Sequence, residues 1–99
     1  MLAVRIAFSD PARQAERQQY FQTHRQYLRG SGLRILLSGP LAPVGDSPTG
    51  ALLLVEVNRL QDLVDFSAGD PFVQSGVYGA VHIYAWNMSL SSLAEIPAP

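Results

Sequence analysis

The chain has 99 residues, no cysteine and no lysine, with 47% hydrophobic against 15% charged residues, a composition for one compact domain. All seven basic residues are arginines, so thiolate nucleophiles, disulfides, cysteine-based metal sites and lysine Schiff bases are excluded. A net charge of −1 argues against a nucleic-acid partner, which requires clustered positive charge.

A domain of this length buries only about 60–70% of the surface its unfolded chain exposes. With so few charged side chains, a 10.8 kDa monomer would leave an apolar patch in water, and an oligomer is expected. The segment Leu2 to Phe8 is short and interrupted by Arg5, unlike the apolar stretch of a signal peptide, and no run approaches the roughly 20 residues of a membrane span. A cytoplasmic location with no membrane partner is the expectation.

Along the chain, Leu2, Val4, Ile6 and Phe8 alternate with Ala3, Arg5 and Ala7, the period of a strand with one strongly buried face. Asp10-Pro11 is a helix start, because the carboxylate accepts from a free amide of the first turn and proline there lacks an N–H that would have been unpaired anyway. From Pro11 to about Arg29 an amphipathic helix is predicted, carrying Phe21, His24 and Leu28 on its inward stripe with Tyr20 and Tyr27 beside them. Gly30-Ser31-Gly32 ends it.

Leu33 to Ser38 reads as a second strand closed by Gly39-Pro40, and Leu41 to Gly50 as a long hairpin connection. Ala51 to Val57 is a third strand, apolar enough to be central and covered on both faces. Leu60 to Ala68 forms a second helix ending at Gly69, and Asp70-Pro71-Phe72 opens a further helical turn before Gly76. Val77 to Trp86 is the last strand, with Val77, Gly79, Val81, Ile83 and Ala85 on one face and Tyr78, Ala80, His82, Tyr84 and Trp86 on the other. Residues 1–88 are thus one domain, and 89–99 a C-terminal tail without periodicity, an arm or a disordered end.

The order β-α-β-β-α-β predicts an α+β, ferredoxin-like split βαβ fold: an antiparallel sheet with both helices on one face. The helix-free face then needs cover, and a second copy of the chain supplies it, giving a homodimer built as an α+β barrel.

Two histidines are available. His24, on the inward stripe, is either a satisfied boundary residue or a group pointing into the cleft between helix and sheet; His82, among aromatic residues, reads as packing or interface. Asp70 is an N-cap by position, yet a cap carboxylate has a second oxygen. If that oxygen accepts the His24 imidazole N–H, it fixes the tautomer and leaves the other nitrogen as a general base or acid. A metal held by both histidines with Asp70 or Glu56 lacks any local ligand pair, and a serine triad through Ser38 or Ser75 lacks its sharp-turn motif. Tyr20, Tyr27, Tyr78, Tyr84 and Trp86 are either core and interface residues or the walls of an aromatic pocket.

His24-Arg25-Gln26-Tyr27-Leu28, Leu36 to Leu41 with Ser38-Gly39-Pro40, Asp70-Pro71-Phe72, Gly76-Val77-Tyr78 and Ile83-Tyr84-Ala85-Trp86 together resemble the YciI-like (YCII-related) family over roughly residues 2 to 87. The resemblance implies a ferredoxin-like domain dimerising as an α+β barrel, and a cleft in which His24 and Asp70 pair. It further implies that Ser38, Gly39 and Pro40 border that cleft as substrate contacts. Arg25 stands where the family has an apolar residue, and Ala85 where it commonly has proline; Arg25 is either an exposed helix arginine or a cation at the cleft mouth that favours an acidic ligand.

The expected function is cofactor-independent and metal-free proton transfer by His24, oriented by Asp70, on a small organic substrate of aromatic or lactone-like kind, as a lyase, isomerase or hydrolase. The alternative is a non-catalytic ligand-binding or regulatory accessory dimer using the same cleft.

Overall fold

The computed structural model describes residues 1–98; Pro99, the last residue of the expected tail, lies outside the described residues. The chain forms β1 (Leu2–Ser9), α1 (Gln14–Gly30), β2 (Arg34–Leu41), β3 (Gly50–Glu56), α2 (Leu60–Gly69), the short α3 (Pro71–Gln74) and β4 (Tyr78–Trp86). The four strands form one sheet in the order β2-β3-β1-β4, and each neighbouring pair is antiparallel. This is the ferredoxin-like arrangement expected from the element order, with the helices on one face.

The start and stop signals act as their chemistry dictates. Asp10 accepts from the Ala12 amide at 2.9 Å above a 3-10 turn at Pro11–Arg13, which leads into α1. Gly32, at φ 72°, supplies the left-handed residue that lets the chain leave α1.

Two expectations for the strands are corrected. In β1 the fully buried residues are Ala3, Arg5 and Ala7, which face the helices, while Leu2, Val4, Ile6 and Phe8 lie half-buried on the other face. The larger apolar side chains thus mark the helix-free face, and small alanines let the helices approach the sheet. β2 does not stop at Gly39-Pro40 but continues to Leu41, so the connection to β3 is shorter than predicted. β2 is an edge strand, where proline is tolerated because an outward-facing position loses no ladder hydrogen bond.

Strand register sorts the two faces. Arg5 is opposite Leu53 on one side and Ile83 on the other, and Ser38 is opposite Leu53, so Arg5, Ser38, Leu53 and Ile83 share the helix-covered face. Ala3, Leu53, Val55, Val57, Leu63 and Phe66 form the main core there, with Tyr27, Leu28, Ile35 and Ile83 packed against it. A second cluster of Ala7, Phe72, Val77 and Tyr78 fills the other end. The row Leu37, Leu54, Val4 and Tyr84 lies on the helix-free face, where Tyr84 is 55% exposed and Trp86 is also exposed. After β4, Ile96 is only 5% exposed and an isolated bridge joins Leu93 to Ile96, while Leu90 and Leu93 remain exposed.

Helix α2 meets α1 through a close contact at its end. The Tyr27 hydroxyl donates to the Phe66 carbonyl at 2.8 Å, and a Cβ on Gly69 would come within 2.5 Å of the Tyr27 hydroxyl oxygen. Gly69→Ala, which in an open helix would be stabilising, is therefore expected to lower stability by about 1–3 kcal/mol through overpacking. Chemical denaturation checks this; an unchanged or raised midpoint would contradict it.

Candidate active site

Asp70 sits between α2 and α3 and is 0% exposed. The Asp-Pro-Phe segment places it: the Asp70 carboxylate accepts from the Phe72 amide at 2.9 Å and Pro71 opens the turn. The same oxygen, Oδ1, lies 2.7 Å from Nδ1 of His24, which α1 projects toward the sheet. Sequence reasoning assigned the histidine to the oxygen left free by the cap. That second oxygen, Oδ2, instead accepts from the Arg5 guanidinium at 2.9 Å. One carboxylate oxygen has lone pairs enough for both the cap amide and the imidazole, so the pair forms with Arg5 as its third member.

Arg5 is 2% exposed, and the sequence reading missed it. Its guanidinium also lies 5.3 Å from the Tyr78 ring centre and 5.7 Å from that of Phe66. Its Nε, also buried, has no hydrogen-bond partner among the described residues. The available signal was the pattern itself: one arginine between two alanines on a strand face leaves room for a long side chain running under the helices.

His24 is buried and its ring lies parallel to Phe72, centres 4.0 Å apart and planes within 5°, with Tyr78 edge-on at 5.8 Å. Beside an ionised carboxylate, Nδ1 carries the proton and donates it; Nε2 makes no hydrogen bond among the described residues. Burial on its own would raise the Asp70 pKa. The hydrogen bonds from His24 and the Phe72 amide, with the charges of His24 and Arg5, outweigh it and hold the carboxyl below its ordinary value. Burial pushes the Tyr78 hydroxyl the other way, keeping it a neutral phenol.

A folded-state pKa below the unfolded value means that Asp70 contributes stability above the unfolded carboxylate pKa, and that this contribution disappears as pH falls through the folded one. Thermal stability should therefore drop on acidification below about pH 4. In Asp70→Asn the acid-side slope should be shallower, as melting curves across that range will show; an identical slope would contradict the ionised carboxylate.

His24 opens onto a cleft of about 420 Å³ between α1 and the sheet. Arg17, Phe21, Arg25 and Leu28 of α1 line one flank, Ser38, Gly39 and Pro40 of β2 the opposite rim, and Arg5, Leu53, Phe72 and Tyr78 the interior. The extension of β2 brings Ser38 and Pro40 to the helix-covered side, because both alternate onto that face. Of the expected aromatic set only Tyr78 lines the cleft. The shared face predicted for Tyr78, His82, Tyr84 and Trp86 is corrected: the β1–β4 register shifts between Phe8 and Ser9, so Tyr78 turns into the cleft while Tyr84 and Trp86 lie on the opposite face, and Tyr27 is engaged with Phe66. His82 also lies on that opposite face, edge-on to Phe8, so the sheet separates it from His24. Glu56 pairs with Arg34 at 3.6 Å, and the described residues hold no group of three metal-ligating side chains. Ser75 has a buried hydroxyl without a hydrogen-bond partner among the described residues and does not line the cleft.

The model of the YCII-related domain family matches residues 1–87. The chain belongs to that family. This YCII-related domain is also similar to solved structures. One is 5-chloro-2-hydroxyhydroquinone dehydrochlorinase (TftG) from Burkholderia phenoliruptrix in complex with 2,5-dihydroxybenzoquinone, at 24% identity over 88% of this chain and 94% of that one, with a TM-score of 0.75. Another is SnoaB, a cofactor-independent oxygenase from Streptomyces nogalater, at 11% identity over 90% and 94% of the two chains and a TM-score of 0.52. A third is the C-terminal domain of the MgtC protein from Mycobacterium tuberculosis, at 25% identity over 86% and 85% with a TM-score of 0.50. Among curated proteins, none matches this chain significantly. The likenesses to TftG and SnoaB establish its α+β fold. Among the described residues no helix is long and apolar enough to cross a membrane.

Proposed function

We propose that the protein is a small enzyme in which His24, oriented by Asp70, moves a proton on a small organic molecule bound in the cleft, in a lyase, isomerase or hydrolase reaction that needs no cofactor. The observation that carries this reading is the 2.7 Å contact of His24 Nδ1 with a fully buried carboxylate while the ring lines a cavity. Such a partner fixes the tautomer and stabilises the imidazolium formed when Nε2 takes a proton. A cavity of roughly 150 Å³ holds one benzene ring, so 420 Å³ accepts a substituted ring with room for its substituents. Ser38, through its hydroxyl, and Gly39, through its backbone, are the substrate contacts on the rim, with Pro40 shaping it.

In a lyase step on a substrate whose leaving group sits on a saturated carbon, as in the keto tautomer of a halogenated quinol, Nε2 takes the proton of a neighbouring C–H or conjugated hydroxyl, the freed electron pair makes the new double bond, and the halide or other leaving group departs with the pair of its bond. The ligand chemistry of TftG, a halogenated hydroxyquinol and a quinone, makes such compounds the first to test. A panel of halogenated quinols, phenols and lactones, assayed with wild type and His24→Gln, tests the reading. Turnover by wild type that is lost in His24→Gln is expected; binding by both with turnover by neither favours the accessory ligand-binding role.

The proposed assembly is a homodimer through the helix-free face. Leu37, Tyr84 and Trp86 are exposed there beside half-buried Leu2, Val4 and Ile6, a contiguous apolar surface that a second copy would cover. Light scattering is expected to give a mass near twice 10.8 kDa, and Tyr84→Asp should shift it toward the monomer. A wild-type monomer at micromolar concentration would remove the barrel.

A further inference from the structure

We infer that the cleft selects a small planar anion, a phenolate or carboxylate carried on an aromatic ring, and that Arg17 and Arg25 are the residues responsible. This concerns the cavity of the proposed reaction but makes a claim about equilibrium binding, independent of turnover.

Positions 17, 21, 24, 25 and 28 of α1 follow one another at helical intervals along the flank that lines the cleft. Three of the cleft-lining residues are arginines and none is a carboxylate. Arg5 is neutralised by Asp70. Away from the cleft Arg13, Arg34 and Arg59 each pair with an acidic side chain, and among the described residues the three arginines with no carboxylate partner are Arg29, which does not line the cleft, and Arg17 and Arg25, which do. Arg17 donates to the Ser9 hydroxyl at 3.1 Å and lies 5.4 Å from the Phe72 ring centre. Arg25 lies 5.5 Å from the ring of Phe21. A chain with net charge −1 therefore concentrates two uncompensated cations at one cavity, both resting on aromatic rings that leave guanidinium N–H groups available.

The remaining surface selects shape. Phe21, Phe72, Tyr78, Leu28 and Leu53 are apolar or aromatic, suited to the body of a ring, with the cations placed for its charged substituent. A neutral ring would fill the same walls but leave the two arginines without a counter-charge. The difference between an anion and its neutral isostere should then be about tenfold or more in Kd at low ionic strength, shrinking as salt screens the partly exposed arginines.

Benzoate and benzamide are a matched pair of probes, titrated into isotopically labelled protein and followed by amide chemical shifts. In wild type, benzoate should bind about tenfold or more tightly than benzamide. In the double variant Arg17→Gln/Arg25→Gln that ratio should fall close to unity. An Arg13→Gln/Arg29→Gln double variant, which changes net charge equally on residues that do not line the cleft, should keep the wild-type ratio. Equal binding of the two probes to wild type, a preference that survives in Arg17→Gln/Arg25→Gln, an equal loss in both double variants, or no saturable binding of either probe would overturn the inference. If the anion preference holds while the reaction panel shows no turnover, the acid–base reading fails and the selectivity stands.

Discussion

Replacing Asp70 with alanine is expected to destabilise the domain by about 3–5 kcal/mol, the range for breaking a buried ion pair by removing one partner. The carboxylate is fully buried and serves three donors: Arg5 through Oδ2, His24 and the Phe72 amide through Oδ1. Its removal leaves a buried guanidinium without a counter-charge, held only by the 3.4 Å hydrogen bond to the Ser67 hydroxyl and with Nε lacking a partner among the described residues, and it also removes the cap of α3. An exposed N-cap aspartate would cost only about 1 kcal/mol, so the magnitude separates the two roles. Equilibrium denaturation measures it, and a double-mutant cycle with Arg5→Met should return a coupling of about 0.5–3 kcal/mol. A loss in Asp70→Ala near that of a simple cap would contradict the buried triad.

The second large effect is on chemistry. With a substrate identified, His24→Gln should lower kcat by about 10²–10⁴-fold, the usual contribution of a positioned general acid or base, while the substrate Kd changes little because the walls of the cleft remain. Asp70→Asn keeps an oxygen for the cap but carries no charge to hold the imidazole proton on Nδ1. It should reduce kcat with the ligand still bound. Separate measurement of kcat and Kd by single-turnover kinetics tests both variants. A His24→Gln enzyme that keeps wild-type kcat, or that loses only affinity, would contradict a proton-transfer role.

Most of the fold was legible because its signals are local. The two Asp-Pro starts, the Gly32 exit and the apolar run of β3 each act within a few residues, and the structure places each element close to its predicted span. What was misread depends on what lies across the sheet. Alternation in β1 identifies two faces but cannot say which one the helices take, and the larger side chains drew the buried face to the wrong side. That inversion hid Arg5, whose role requires Asp70 to be brought from the far end of the sequence. Likewise Gly39-Pro40 signals a stop in isolation, whereas an edge strand tolerates both residues.

In the site, the His24–Asp70 pairing followed from a helix stripe and a cap motif combined with family resemblance. The atom-level arrangement did not, because which carboxylate oxygen meets which donor depends on Arg5. Arg17 attracted no notice in the sequence for a related reason: an arginine on a helix is ordinarily a solvated residue, and its meaning here comes from the Phe72 ring and the missing carboxylate around it.

Nitrogen-15 NMR of the His24 ring in the ligand-free protein tests most directly whether Asp70 holds the imidazole in the state a cleft-facing base requires. The expected spectrum of the neutral ring shows the proton on Nδ1 and none on Nε2, with the preference weakened in Asp70→Asn. A wild-type ring carrying its proton on Nε2, or a tautomer unaffected by Asp70→Asn, would contradict the orientation on which the proposed chemistry depends.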